Sequence, residues 1–287
     1  MNARVEPDST AGARLRSQQT KHWNAVADGW AAWLDWTARN FRPLTDWTGE
    51  AAGWEPGARL LDVACGAGYP ALEAAVRVRP DGFVHATDIS ASMIALASSR
   101  ATAAGLGNIA FREMDAEQLQ FDQESFHAVT NLYGLMFCPD PQRAVGEAHR
   151  VLKRGGRFAA VVWDEPAKSP FFFVINRVAT PFLSLTASAS GDPGPFRLAP
   201  AGALEGLLEA GGFAEIRVDS APMTFELASA DEYLRLFADF AWKNRIAALA
   251  PQDRARLGRA VVEAAAPYVG DRLRLVATSI RASGRKL

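Results

Sequence analysis

The chain has 287 residues, 49% hydrophobic and 22% charged, with a formal net charge of −1. This is globular composition, long enough for one large core or two small ones. Its balanced charge excludes the strong positive field and basic cluster of a nucleic-acid binder. Two cysteines, Cys65 and Cys138, cannot build a disulfide framework, which suggests a reduced, cytoplasmic protein.

Residues 1–19 are polar, lack the apolar core of a signal peptide and read as a loose tail. In "HWNAVADGWAAWLDW", Trp23, Trp30 and Trp33 recur at helical spacing, which predicts a helix with one aromatic face within residues 20–50. From residue 59 strands and helices alternate. "RLLDVA" is nearly all apolar, as a strand buried on both faces should be. Pro70 sits where a helix begins, and that helix should stop at Arg79 and Pro80. "FVHATD" reads as the second strand. Ser90 can cap a helix through Met93, Leu96 and Ala97 that ends at "GLGN". "IAFREMD" and "HAVTNLY" follow as strands, then a helix, "PDPQRAVGEAHRVLK", closed by Gly155 and Gly156, then the strand "RFAAVVWD". Residues 165–198 read as long and irregular; Asn176, Arg177, Pro170 and Pro181 interrupt them too often for a membrane span. A helix ("AGALEGLLEAG"), a strand ("AEIRVDS"), a helical region over 228–270 and a last strand ("RLRLVATSIRA") complete the chain.

Repeated strand–helix units predict an α/β fold: a doubly wound, Rossmann-like, mostly parallel seven-stranded sheet with helices on both faces, plus helical lid segments. The expected division is a tail and helical cap (1–50), a cofactor-binding core (51–164), a lid insert (165–198), the core continued (199–227), a helical insert (228–270), and a last strand and tail (271–287).

The turn "GAGYPA" after the first strand fits the G-x-G-x-x-G/A fingerprint. In open α/β sheets the ligand lies beyond the carboxyl ends of the strands, where strand order reverses. Gly66 and Gly68 let the backbone approach it. Asp88, 20 residues after Gly68, ends the second strand, where a carboxylate can accept both ribose hydroxyls. These features suit NAD and any other adenosine-bearing cofactor. Asp62, just before the turn, separates them. A diphosphate wants bare N–H groups, whereas S-adenosylmethionine brings an ammonium and a sulfonium that an acid favours. Asp115, ending the third strand, can accept from an adenine amino group, and Ala116 leaves room for the ring.

"LLDVACGAG", "ATDIS", "MDAEQLQF" and "EAHRVLKRGGRFAAVVW" stand in order over residues 59–164. Together they resemble the motifs of the class I S-adenosylmethionine-dependent methyltransferases, in the style of the ubiquinone/menaquinone-biosynthesis type and its small-molecule relatives. "HWNAVADGWAAW" resembles the aromatic N-terminal helix that covers the cofactor there, with Trp30 at the covering position. Ala64 replaces the family's usual first glycine, and His127 stands where an aspartate is usual, at a peripheral place. The resemblance implies S-adenosyl-L-methionine as cofactor. Ala64, Gly66 and Gly68 would line its methionine part, with Asp62 near the ammonium. Asp88 would hold the ribose, Ile89 and Met93 flank the adenine, and Asp115 and Ala116 meet its edge. Asn131, at the switch point, would reach the ammonium or backbone of the cofactor, and Tyr133 would face the transferred methyl. Of the four histidines, His22 has a claim to act as base; His85, His127 and His149 occupy structural places.

Methyl transfer from a sulfonium is an in-line displacement, so the protein's task is alignment and exclusion of water. No dedicated base and no metal-ligand cluster is evident, which suits phenolic, enolic or amine acceptors without choosing among O-, N- and C-methylation. The apolar, aromatic segments outside the core predict a small or medium-sized hydrophobic acceptor, no nucleic acid and no integral membrane segment. Residues 228–270 could form a lid or a homodimer interface. Two alternatives compete. An NAD-dependent oxidoreductase would need a Tyr/Lys-type pair, and none is evident. A non-catalytic scaffold of the same fold is disfavoured by the intact acids at 62, 88 and 115.

Overall fold

The computed structural model describes residues 10–185 and 191–287. Two helices open it, α1 (Thr10–Ala32) and α2 (Leu34–Ala52). The alternating core follows: β1 (Arg59–Val63), α3 (Ala71–Arg77), β2 (Phe83–Asp88), α4 (Ala91–Ala103), β3 (Ile109–Glu113), β4 (Phe126–Leu132), α5 (Pro141–Val151) and β5 (Leu152–Trp163). Then come α6 (Pro170–Leu183), α7 (Ala203–Ala210), β6 (Ala214–Leu227), α8 (Ala230–Phe237), a π-helical turn (Ala238–Trp242), α9 (Lys243–Ala247), α10 (Pro251–Ala265) and β7 (Leu273–Arg285).

The seven strands form one sheet in the order β3-β2-β1-β4-β5-β7-β6. β1 to β5 are parallel, and β7 runs antiparallel between β5 and β6. Strand order reverses between β1 and β4, which opens a crevice at their carboxyl ends. Side chains alternate across the pleat. Leu60, Val84, Ala128 and Ala159 pack with Ala71, Ala74 and Ala75 of α3 on one face. Leu61, Val129, Phe158 and Ala160 pack with Val145 and Ala148 of α5 on the other. Leu61, aligned with Val129, has 0% of its surface exposed. Truncating it to alanine would cost about 2–5 kcal/mol on the scale of buried leucines.

The expected cap is present: the hydroxyl of Ser90 accepts from Met93 N at 3.1 Å. The carboxylate of Asp140 caps α5 in the same way, accepting from Arg143 N at 3.0 Å. Four expectations are corrected. The polar "tail" is helical from Thr10 onward, and residues 1–9 lie outside the described residues. The tryptophan-rich segment is two helices that break at Trp33 (φ −116°, ψ 20°), because α1 packs on α4 and the π-helical turn while α2 packs on β4, β5 and β6. The "irregular" 165–198 segment contains α6. Pro170 opens that helix where its missing N–H costs nothing, and Pro181 falls in the last turn. Its buried Phe171, Val174, Ile175, Ala179 and Leu183 keep helical periodicity. Finally, β6 continues past "AEIRVDS" through Pro222 to Leu227. Proline is tolerated there because β6 is an edge strand. Among the described residues no helix is long and apolar enough to cross a membrane.

Candidate active site

Three left-handed residues shape the turn after β1: Ala64 (φ 58°), Gly66 (φ 51°) and Gly68 (φ 98°). A Cβ on Gly66 would meet nothing within 4 Å, so its bare backbone faces open space. A Cβ on Gly68 would press on Leu72 at 3.2 Å and Ala97 at 3.4 Å; this glycine serves turn–helix packing. Ala64 departs from the family's glycine, and the opposite wall accommodates it: a Cβ on Gly134 would stand 2.5 Å from the methyl of Ala64.

Asp88 closes the turn from the side. Its carboxylate accepts from Gly66 N and from Ser90 N, both at 2.9 Å. Burial nevertheless pushes its pKa up to about 6. Asp62 is 1% exposed beneath the turn, where Oδ1 accepts from the Thr130 hydroxyl at 2.8 Å and Oδ2 has no hydrogen-bond partner. Burial pushes this pKa up to about 7, against that hydrogen bond. A cation resting on the turn would relieve both carboxylates.

A cavity of about 640 Å³ opens over this turn. One end is walled by Ala64, Gly66, Asp88, Ile89, Met93, Asp115 and Ala116, and by Gln19, His22, Trp23 and Trp30 of α1. Asp62, Gly68 and Asn131 are not among the residues that line the cavity. Asn131 acts as a brace: Nδ2 donates to Val63 O at 2.9 Å, and Oδ1 accepts from Gly134 N at 3.1 Å and Leu135 N at 2.8 Å, so β4 is pinned to β1.

Helix α1 is clasped over the strand ends at three points. Arg16 pairs with Asp115 at 3.4 Å and with Glu117. Asn24 Oδ1 accepts from the Ser90 hydroxyl at 2.7 Å and from Ser92 N at 3.1 Å. At its carboxyl end, Trp30 stacks on Phe240 (4.1 Å between centroids), and Trp33 Nε1 donates to Asp239 at 2.8 Å. His22 lies edge-on to Trp23, and burial lowers its pKa, so the imidazole is neutral at pH 7. The other histidines lie elsewhere: His85 packs against Phe121 and Phe126, His149 against Phe213, and His127 accepts from Arg59 N at 2.9 Å.

The other end of the cavity is aromatic, walled by Trp36, Phe41, Tyr133, Trp163, Phe171, Phe172, Phe225 and Phe237. Tyr133, itself left-handed at φ 59°, stacks on Trp163 at 4.0 Å and shares a 2.7 Å hydrogen bond with the Ser279 hydroxyl. Burial drives its phenol well above the ordinary range, so it presents a neutral ring to the cavity. Sequence reading missed Arg16, Gln19, Phe41 and Phe240. Arg16 and Gln19 lay in the supposed tail, and nothing local marks the π-helical turn that carries Phe240.

A methyltransferase domain family matches residues 60–156. The demethylmenaquinone methyltransferase of Geobacillus kaustophilus is 30% identical over 190 residues, covering 61% of this chain and 78% of that protein. The chain belongs to the class I S-adenosylmethionine-dependent methyltransferases. The aklanonic acid methyltransferase DauC of Streptomyces sp. strain C5 is 41% identical over 103 residues, 36% of this chain and 47% of that one. Several other curated relatives are matched over 39–43% of their length, so they share the core rather than the whole protein. Among solved structures, YcgJ of Bacillus subtilis superposes with a TM-score of 0.56 at 20% identity, covering 84% of this chain and 97% of that one, which speaks for the fold. S-adenosylmethionine is the cofactor of this family, and the residues here fit it: a bare glycine backbone, a strand-end acid, and a buried carboxylate oxygen without a partner below the turn. Nothing in these likenesses supports the oxidoreductase alternative.

Proposed function

We propose that the chain transfers the methyl group of S-adenosylmethionine to a small or medium-sized hydrophobic acceptor. The observation that carries this reading is one continuous cavity whose acidic, glycine-lined end runs into an aromatic end. Its volume of about 640 Å³ lies within the range usual for small-molecule sites.

The cofactor supplies a methyl group on a sulfonium, a leaving group that needs no further activation. Asp88 has about four lone-pair positions. Gly66 N and Ser90 N occupy two of them, and the rest accept ribose hydroxyls. Asp115 and Ala116 bound the adenine edge, and Ile89 and Met93 give it apolar flanks. Asp62 acts through the turn as a buried negative charge that favours an ammonium above it. Asn131 is a positioning residue that holds the ends of β1 and β4 together. Helix α1 and the π-helical turn shut out water, which lets alignment of the acceptor do the catalytic work. A neutral His22 on the wall can take the proton of a weakly acidic acceptor. The ring of Tyr133 forms part of the surface on which the acceptor lies. The parts of the 228–270 segment that wall the cavity, Phe237, Phe240 and Trp242 among them, support its role as a lid.

The test is incubation of the protein with methyl-labelled S-adenosylmethionine and extracts, with mass spectrometry of the labelled products. Labelled product of low mass and apolar character is expected. Tight cofactor binding without any labelled product would favour the non-catalytic scaffold.

A further inference from the structure

The aromatic end of the cavity has one cation at its rim. Among the described residues lining the cavity, Arg245 is the only lysine or arginine. The lining carboxylates, Asp88 and Asp115, stand at β2 and just beyond β3, while α6, which Arg245 grips, packs on β7 in the opposite half of the sheet. Arg245 is exposed on α9, and its Nη1 donates to Leu183 O at 3.1 Å and Ser184 O at 3.4 Å at the end of α6. These two carbonyls fix the guanidinium. Its Nε and Nη2 donors have no partner among the described residues, and no carboxylate there pairs with it.

We propose that Arg245 anchors an anionic group, a carboxylate, on the end of the acceptor remote from the cofactor, so that the substrate class is an apolar, aromatic-sized body with an acidic terminus. A fixed guanidinium with free coplanar donors suits a carboxylate. Its place at the rim lets the charge stay partly hydrated while the apolar body enters the aromatic end. The proposal rests on the methyltransferase reading for what happens at the other end of the cavity, but not for the binding itself.

The probes are 2-anthracenecarboxylate and its methyl ester, each titrated against the full chain at pH 7.5 with tryptophan fluorescence as readout. The wild type is expected to bind the acid about tenfold more tightly than the ester, the scale of one charge-assisted hydrogen-bonded contact. Added salt should narrow that gap, because the guanidinium is exposed. Arg245→Met should bring the acid down to the level of the ester and leave the ester unchanged; Arg245→Lys should keep part of the preference. Equal affinity of the wild type for acid and ester, no binding of the acid, or an unchanged preference in Arg245→Met overturns the proposal. The melting shift with S-adenosylmethionine is measured on the same samples. Its absence beside an intact acid preference would remove the methyltransferase reading and leave the anchor standing.

Discussion

The backbone N–H of Gly66 donates to the carboxylate of Asp88 at 2.9 Å, so the turn after β1 and the end of β2 form one cradle. Removing the acid therefore loosens the turn as well as the ribose contact. Asp88→Ala is expected to weaken S-adenosylmethionine binding by roughly 1–3 kcal/mol, the scale of lost hydrogen bonds to a charged group. Titration calorimetry checks this; unchanged affinity would move the ribose elsewhere.

The two raised carboxyl pKa values fix the sign of a pH dependence. An acid whose folded pKa lies above its unfolded value binds more protons when folded, so its contribution to stability falls as pH rises between the two values. For Asp88 that window runs from 3.8 to about 6, and for Asp62 from 3.8 to about 7. Without cofactor, these two acids should lower the melting temperature as pH rises across that range, and Asp62→Asn should flatten the slope. S-adenosylmethionine should flatten it too, because a bound cation favours the ionised carboxylates. Melting scans from pH 4 to 8 decide; a wild-type slope that Asp62→Asn leaves intact would assign it to other groups.

Ala64 and Gly134 make a reciprocal pair. Gly134→Ala would bring two methyl carbons to 2.5 Å and crowd the Asn131 amide, and a loss of about 1–3 kcal/mol is expected. Ala64→Gly relieves a left-handed alanine and removes one of the colliding methyls. The double variant should recover part of the loss, and denaturant titrations of all four proteins measure the coupling. Additive losses would mean that the two sites do not share this space.

Asn24 ties α1 to the cap of α4 through two accepted hydrogen bonds. Asn24→Ala should loosen α1 and weaken cofactor binding by about 1–2 kcal/mol while the core melts much as before. Limited proteolysis reads the effect: α1 should be cut faster in the variant, and the cofactor should protect it. Equal cleavage rates with and without cofactor would make α1 a fixed wall rather than a lid.

His22 is neutral above pH 7 because burial lowers its pKa. If it takes the acceptor's proton, His22→Ala should lower kcat by about 10²–10⁴, and the wild-type rate should be flat above pH 7 and fall in acid. A variant that keeps its kcat would leave His22 as a wall residue.

What could be read in the sequence was local. Gly66, Asp88 and Asp115 are legible because the strand–turn–helix units fix their spacing, and each lines the cavity. Asn131 was legible as a strand-end residue, but its bond to Val63 O was not, since it joins residues 68 apart. Helix α6 was hidden by counting its prolines as breaks without asking which turn each occupied. Arg16 was lost with the polar segment around it, because its partners, Asp115 and Glu117, are set by tertiary packing. The π-helical turn that brings Phe240 onto Trp30 has no pattern of its own to read.

The position of β7 gives synthesis of the chain an order. β7 lies between β5 and β6 although it follows both in sequence, and it carries Ser279, which holds the hydroxyl of Tyr133 across 146 residues. A chain emerging from its amino end thus possesses the cofactor turn, Asp88 and all five parallel strands long before the wall that receives the acceptor can close. Until β7 slots in, the outer edge of β5 has no neighbour and the ring of Tyr133 has no anchor. Such an edge is open to pairing with other chains. The two ends of one cavity are in this sense made at different times: the half for the cofactor comes early, and the half for the acceptor comes with the last strand.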